Sequence, residues 1–191
     1  MAERGTEANA GAADAPALPA ALDRALFEAN PDLVWELNLD GTVRRANRRV
    51  ADVLGYSPAE VCGRPVSDLA APEGRAAVER AAAEALAGRA SVCECVMRHR
   101  DGRRVYMRAT LMPLVVGGRV VGVFANSQDV TAAHEAAERL LEEEALYRSL
   151  VEQMPECVAI YGADGRCAFI NAAGAALRGP GRTAADVEGH H

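Results

Sequence analysis

The sequence predicts an α+β fold built on an antiparallel sheet. Two strand-like runs joined by a tight turn come first, short helices and one longer helix follow, and three further strand-like runs close the domain. That order lacks the strand-helix alternation from which a doubly wound sheet is made. A repeat at fixed offset adds that the chain carries one such module and the beginning of another.

Leu18, Leu22, Ala25, Leu26 and Ala29 fall at helical spacing, and Asn30-Pro31 ends that helix because a residue before proline disfavours the α region. Leu33 to Leu39 alternates apolar and polar around Trp35, Asp40-Gly41 supplies a two-residue turn, and Thr42 to Ala46 returns as a hairpin partner. Asn47 reads as the N-cap of a short helix that carries Val50, Val53 and Leu54 and ends at Gly55. Ser57-Pro58-Ala59-Glu60 has the cap, the early proline and the acid of another helix start. Glu73 to Ala87 is an alanine-rich helix closed by Gly88. Strands are predicted over Ser91 to Arg98, Arg104 to Pro113 and Arg119 to Ser127; the Asp101-Gly102 and Gly117-Gly118 turns between them suit a meander.

Leu26, Glu28, Pro31, Val34, Asp40, Gly41 and Asn47 recur at a constant offset of 124 residues as Leu150, Glu152, Pro155, Val158, Asp164, Gly165 and Asn171. Gly63-Arg64 and Ser67-Asp68-Leu69 are echoed, after a six-residue deletion, by Gly181-Arg182 and Ala185-Asp186-Val187. The first copy continues well beyond that point and the second does not, which reads as the front of a longer tandem array.

Of 191 residues, 50% are hydrophobic and 25% charged, enough for one well-buried domain with extensions. All 21 basic residues are arginine. A P-loop, a pyridoxal enzyme and a protein kinase each need a lysine, so none of them is built within this segment. The net charge of -6 weighs against a nucleic-acid partner, whose phosphates call for a basic surface. Residues 1 to 20 lack the basic start and apolar core of a signal peptide. No stretch reaches the roughly 20 apolar residues that span a bilayer, and the expectation is a cytoplasmic segment away from the membrane. Cys62, Cys93, Cys95, Cys157 and Cys167 form no Cys-x-x-Cys pair and read as reduced thiols.

The ordered set of Asp40-Gly41, Asn47, Gly55-Tyr56, Glu60, Gly63-Arg64, Asp68-Leu69, Arg100-Asp101-Gly102 and Asp129-Val130-Thr131 closely resembles a PAS domain of the S-box type. The resemblance covers about residues 20 to 131, and residues 146 to 189 resemble the start of a second such domain. It implies the PAS fold: a five-stranded antiparallel sheet with short helices over one face, enclosing a pocket, and signals that leave through flanking helices. It implies no reaction. The organisation expected is a disordered tail over 1–19, a PAS domain over 20–131, a helical coiled-coil connector over 132–149 and a truncated second PAS domain over 150–191.

Haem-binding members of the family commonly use a histidine from the long helix, and Glu73 to Ala87 contains none. Light-oxygen-voltage members resemble one another in an Asn-Cys-Arg-Phe-Leu run whose cysteine attacks flavin; the comparable stretch here is Val61-Cys62-Gly63-Arg64-Pro65. Haem and covalent flavin are therefore not expected, and Cys62 reads as a small apolar residue beside a turn. A flavin held without a covalent bond has Trp35 to stack on, whereas the plainer reading of Trp35 is core. Cys93 and Cys95 share one face of a strand, as a soft-metal or redox pair or as half-buried thiols; no second pair completes a zinc site, and no metal is expected. His99 reads as a solvated turn residue. The candidate ligand pocket is formed by Trp35, Leu69, Met97, Met107 and Phe124, lining a site for a small non-covalent ligand or packing as a dry core. His134-Glu135 is similar to the phosphoacceptor of sensor kinases, but Ala136-Ala137-Glu138-Arg139-Leu140 follows in place of that motif, so His134 reads as a polar residue on a connector helix.

Val130, Ala133, Ala137, Leu140, Tyr147, Val151 and Met154 follow a heptad seam interrupted by Glu144. This predicts a short parallel coiled coil and a homodimer through flanking helices; the alternative is a lone amphipathic helix packed on the sheet. Asp129, Val130, Thr131 and Glu144 are the candidate relay residues. No nucleophile with a matched base, metal set or phosphate loop marks a catalytic residue. Two functional readings follow. One is a sensory input module, of the kind found in bacterial two-component and phosphorelay systems, that passes a signal to a downstream output domain such as a histidine kinase or diguanylate cyclase. The other is a non-catalytic module for protein interaction and dimerisation without a bound ligand.

Overall fold

The computed structural model describes residues 18–177. The echo at 181–187, His190-His191 and most of the tail expected over 1–19 lie outside these residues. The chain divides into two compact units, one up to Ala132 and the other from Ala133.

The first unit runs α1 (Leu18–Ala29), β1 (Leu33–Leu37), β2 (Val43–Ala46), α2 (Arg49–Leu54), α3 (Pro58–Val61), a 3-10 turn (Val66–Leu69), α4 (Pro72–Leu86), β3 (Ser91–Arg98), β4 (Arg104–Val116) and β5 (Arg119–Asp129). The strands form one antiparallel sheet in the order β2-β1-β5-β4-β3. The predicted α+β class and five-stranded PAS architecture are what the chain adopts. The Gly117-Gly118 turn between β4 and β5 has positive φ at both residues, 56° and 78°, the geometry a two-residue hairpin loop needs and glycine supplies without strain. At α3 the capping box closes as expected: the Ser57 amide donates to Glu60 Oε2 at 2.8 Å and the Glu60 amide donates to Ser57 Oγ at 3.4 Å.

Three local expectations are corrected. β4 does not stop at Pro113 but runs on to Val116. β3 begins opposite Leu111, so Pro113 sits where β4 has one open edge, the setting in which a strand tolerates a missing N–H. β1 is buried along its whole length instead of alternating. Both oxygens of the Glu36 carboxylate are taken, by Arg44 at 2.6 Å and Arg45 at 2.5 Å, and Arg45 in turn lies 3.9 Å over the ring of Phe27 from α1 and meets Asp23 at 2.9 Å. Asn47, finally, is not an N-cap. Its side chain is fully buried and reaches back along the chain, accepting from the Val34 amide at 3.1 Å and donating to the Phe27 and Asp32 carbonyls at 3.2 and 2.9 Å. Glu28 instead accepts from the Arg48 amide, at 3.0 Å, at the start of α2.

The second unit takes most of α5 (Thr131–Glu152), then β6 (Ala159–Tyr161), β7 (Cys167–Ile170) and α6 (Ala172–Leu177). Here the repeated residues recur in the same bonding roles. Asn171 accepts from the Val158 amide at 3.0 Å and donates to the Val151, Met154 and Glu156 carbonyls, and, unlike Asn47, it also caps the following helix by accepting from the Gly174 amide at 2.9 Å. Glu152 accepts from the Ala172 amide at 2.9 Å, as Glu28 does from Arg48. Asp164 accepts from the Arg166 amide at 3.1 Å, as Asp40 does from Thr42 at 2.9 Å.

Candidate functional site

The concave face of the sheet and the helices α2 to α4 enclose the core of the first unit. α4 can lie close because it presents small residues, Ala81, Ala82 and Ala85, beside Val78. Within this core is a cavity of about 30 Å³. Its wall is built by strand alternation: Leu33, Trp35 and Leu37 from β1, Cys93, Cys95 and Met97 from β3, Met107, Ala109 and Leu111 from β4, Ala125 and Ser127 from β5, with Val66 and Val78 above. The volume admits a water-sized occupant. It is about a tenth of the roughly 300 Å³ at which small-molecule pockets begin.

Three of the five predicted pocket residues, Trp35, Met97 and Met107, line this cavity. Leu69 is buried in the same core without reaching the cavity wall. Phe124 is the clear correction. It is half-buried and projects from the opposite face of β5, because its neighbours Ala125 on one side and Val123 on the other take the inward positions. Ala125 and Ser127, which the sequence did not single out, are inside; the available signal was the phase of alternation along 119–127. His99 is also less exposed than a turn residue would be: its ring lies over Gly55, accepts from the Asp101 amide at 3.2 Å and is 17% exposed.

The two thiols act on each other. A hydrogen bond from Cys95, helped by the charge of Arg80 and opposed by burial, brings the Cys93 thiol below its ordinary value; the same bond and then burial push Cys95 up. Flavin does not fit the site as it stands. An isoalloxazine ring far exceeds the cavity, and Cys62 lies outside its wall, exposed, with its thiol 3.6 Å from the Arg44 carbonyl. Among the described residues no three His, Cys, Asp or Glu side chains converge as a metal site.

β5 carries the cavity wall to the end of the unit. Ser127 lines the cavity, Asp129 pairs with Met107, and α5 starts at Thr131. The junction is tied to β4 at one residue: the Val130 amide donates to the Tyr106 carbonyl at 2.9 Å, and the Tyr106 amide donates to Thr131 Oγ1 at 3.0 Å. Asp129 accepts from the Thr131 amide at 2.9 Å and so starts the helix. None of the described residues of α5 is buried, and Leu140, Tyr147 and Met154 beyond it are exposed. Glu144 is exposed too, 3.4 Å from Arg148 one turn on, and His134 lies 3.4 Å from Glu138.

A five-stranded antiparallel sheet, helices over a small apolar cavity and an exit strand that opens a long helix define the class: an α+β domain with the sheet against its helices. The chain belongs to the PAS family, with residues 27–135 matching the PAS fold. Among solved structures, the PAS domain of a protein from Colwellia psychrerythraea is similar at 21% identity, over 60% of this chain and 98% of that one, with a TM-score of 0.54. An RNA-binding light-oxygen-voltage receptor is similar at 24% identity, over 77% of this chain and 42% of that one, with a TM-score of 0.56. The PAS domain of an HTR-like protein from Haloarcula marismortui is 26% identical over 58% of this chain and 91% of that one, with a TM-score of 0.49. No curated protein matches the sequence. PAS domains are sensory input modules, generally non-catalytic, and commonly mediate dimerisation and signalling contacts. Among the described residues no helix is long and apolar enough to cross a membrane.

Proposed function

We propose that the first unit is the cytoplasmic input module of a multidomain signalling protein. In this reading a small ligand entering the cavity shifts β5, and the shift passes through Asp129, Val130 and Thr131 into α5. The observation that carries it is the continuity of β5: Ser127 lines the cavity and the strand ends, two residues later, at the start of the exit helix. α5, about 33 Å long at 1.5 Å per residue, pairs with its counterpart in a homodimer and hands the signal to a downstream output domain, of which a histidine kinase or a diguanylate cyclase are the two candidates. Glu144 weakens the seam and keeps two helix arrangements close in energy. Residues 150–177 are then the opening of a second PAS domain, as the repeated Asn171 and Glu152 bonds support.

The small size of the cavity favours a second reading, in which the core is filled by its own side chains and the module serves dimerisation and partner docking. Filling the cavity separates the two. Ala109→Val adds two methyl groups to its wall. If the cavity is the input site, hydrogen exchange at 128–135 changes in the variant. Unchanged exchange in a variant that stays folded and dimeric overturns the input reading in favour of the docking module.

A further inference from the structure

Four sulfur-bearing side chains line the cavity, placed there by strand alternation and pairing. Cys93, Cys95 and Met97 occupy alternate positions on β3 and so share its inward face. Met107 on β4 stands directly opposite Cys95 in the antiparallel ladder, and all four side chains line the same cavity. We propose that Cys93 and Cys95 form a two-thiolate binding site for a soft monovalent cation, Cu(I), with the thioether of Met107 beside it; Met97, four residues along β3 from Cys93 and so about 13 Å away, is out of reach of an ion held by both thiols. This deepens the reading of the cavity as the input site, on which its signalling consequence rests, but the binding itself does not depend on that reading.

The chemistry selects this ion. Thiolate and thioether donors are soft and favour Cu(I), which is satisfied by two thiolates in near-linear geometry and gains from added thioethers. A closed zinc site takes four ligands from Cys, His and carboxylates, and no His, Asp or Glu joins the two thiols to complete one among the described residues. A cavity of about 30 Å³ suits a bare ion better than an organic ligand. Entry has a route. Cys93 is half-buried and lines both this cavity and a groove on the outer side of α4 and β3, where Arg80 also lies. Binding releases the two thiol protons, Cu(I) plus two thiols giving a bis-thiolate complex of charge -1 and two protons.

The test is an anaerobic titration of the full chain with Cu(I) against a colorimetric Cu(I) chelator. The expected result is one cation bound per chain, two protons released, and binding lost in Cys93→Ser and in Cys95→Ala. Met107→Leu weakens it by about tenfold, and Met97→Leu leaves it unchanged. Cys62→Ser and Cys157→Ser, at exposed thiols, leave it unchanged. Circular dichroism confirms that each variant is folded, and Cys93, half-exposed, gives the variant that tests the site even if Cys95→Ala unfolds. No stoichiometric binding, or binding that survives Cys93→Ser, overturns the proposal. The input reading fails separately: Cu(I) bound at this site with no change in exchange at 128–135 leaves the cation site standing and removes its link to α5.

Discussion

Replacing Gly74 by alanine would place a methyl carbon 2.3 Å from the carbonyl oxygen of Val96 and 2.8 Å from its amide nitrogen. Both atoms are backbone, held in β3 by the ladder to β4, so no side chain can swing aside. Reaching even 3.0 Å requires the start of α4 to withdraw by about 0.7 Å. That movement breaks the bond from the Ala71 amide to the Val96 carbonyl, now 2.9 Å, at about 1 kcal/mol. Overpacking adds about 1–3 kcal/mol. Against these, alanine gains at most about 1 kcal/mol in helix propensity over glycine. The net effect is a destabilisation of about 2 kcal/mol, which lowers the Tm of a domain this size by about 8 °C. Differential scanning calorimetry of the full chain measures it, with Ala76→Gly, exposed in the same helix, as the control that costs about 1 kcal/mol from propensity alone. A Gly74→Ala chain as stable as the parent, or more stable, would show that α4 is free to adjust and that its close approach to β3 does not set the cavity wall.

Asn47→Ala removes three hydrogen bonds, two of them buried and one part-buried, and is expected to cost about 3 kcal/mol in denaturant unfolding; a loss under about 1 kcal/mol would mean water replaces the amide. Asn171→Ala is expected to raise hydrogen exchange across 158–171, and protection unchanged there would remove Asn171 from the role Asn47 plays. The Glu60 carboxyl is held below its ordinary 4.5 by the Ser57 amide, then the Ser57 hydroxyl and Arg100. A depressed folded pKa gives stability that is present above 4.5 and lost as pH falls through the folded value, so the stability gap between the parent and Glu60→Gln is expected at pH 7 and absent at strongly acid pH. An equal gap at both would assign it to packing. Glu144→Leu removes the polar break in the heptad seam and is expected to lower the dimer dissociation constant in sedimentation; monomers before and after would refute the coiled coil.

The elements themselves were legible because each is announced locally. Proline after Asn30, the capping box at Ser57 and the double glycine at 117–118 set boundaries that the fold keeps. What sequence could not show is where a side chain goes when it bonds across the chain. Asn47 stands before a helix and has the residue type of an N-cap, yet its partners are 13 to 20 residues back, where no capping rule looks. Gly74 lies near the start of a helix and has no visible reason to be glycine until β3 is packed against it.

The cavity residues illustrate the same limit at finer scale. Along 119–127 a strand has two faces, and hydrophobicity favours putting Phe124 inside. The fold puts Ala125 and Ser127 there instead, beside Trp35, Met97 and Met107, around a cavity of only about 30 Å³. An inward Phe124 would shift the register by one residue and turn Asn126 into the core. Asn126 is held outward, where its amide donates to Asp32 at 2.9 Å beside the carbonyl that Asn47 also grips. The phase of β5 is thus fixed by polar bonds at the start of β1, and it is this phase that brings Ser127 to the cavity and Asp129 to the helix that leaves it.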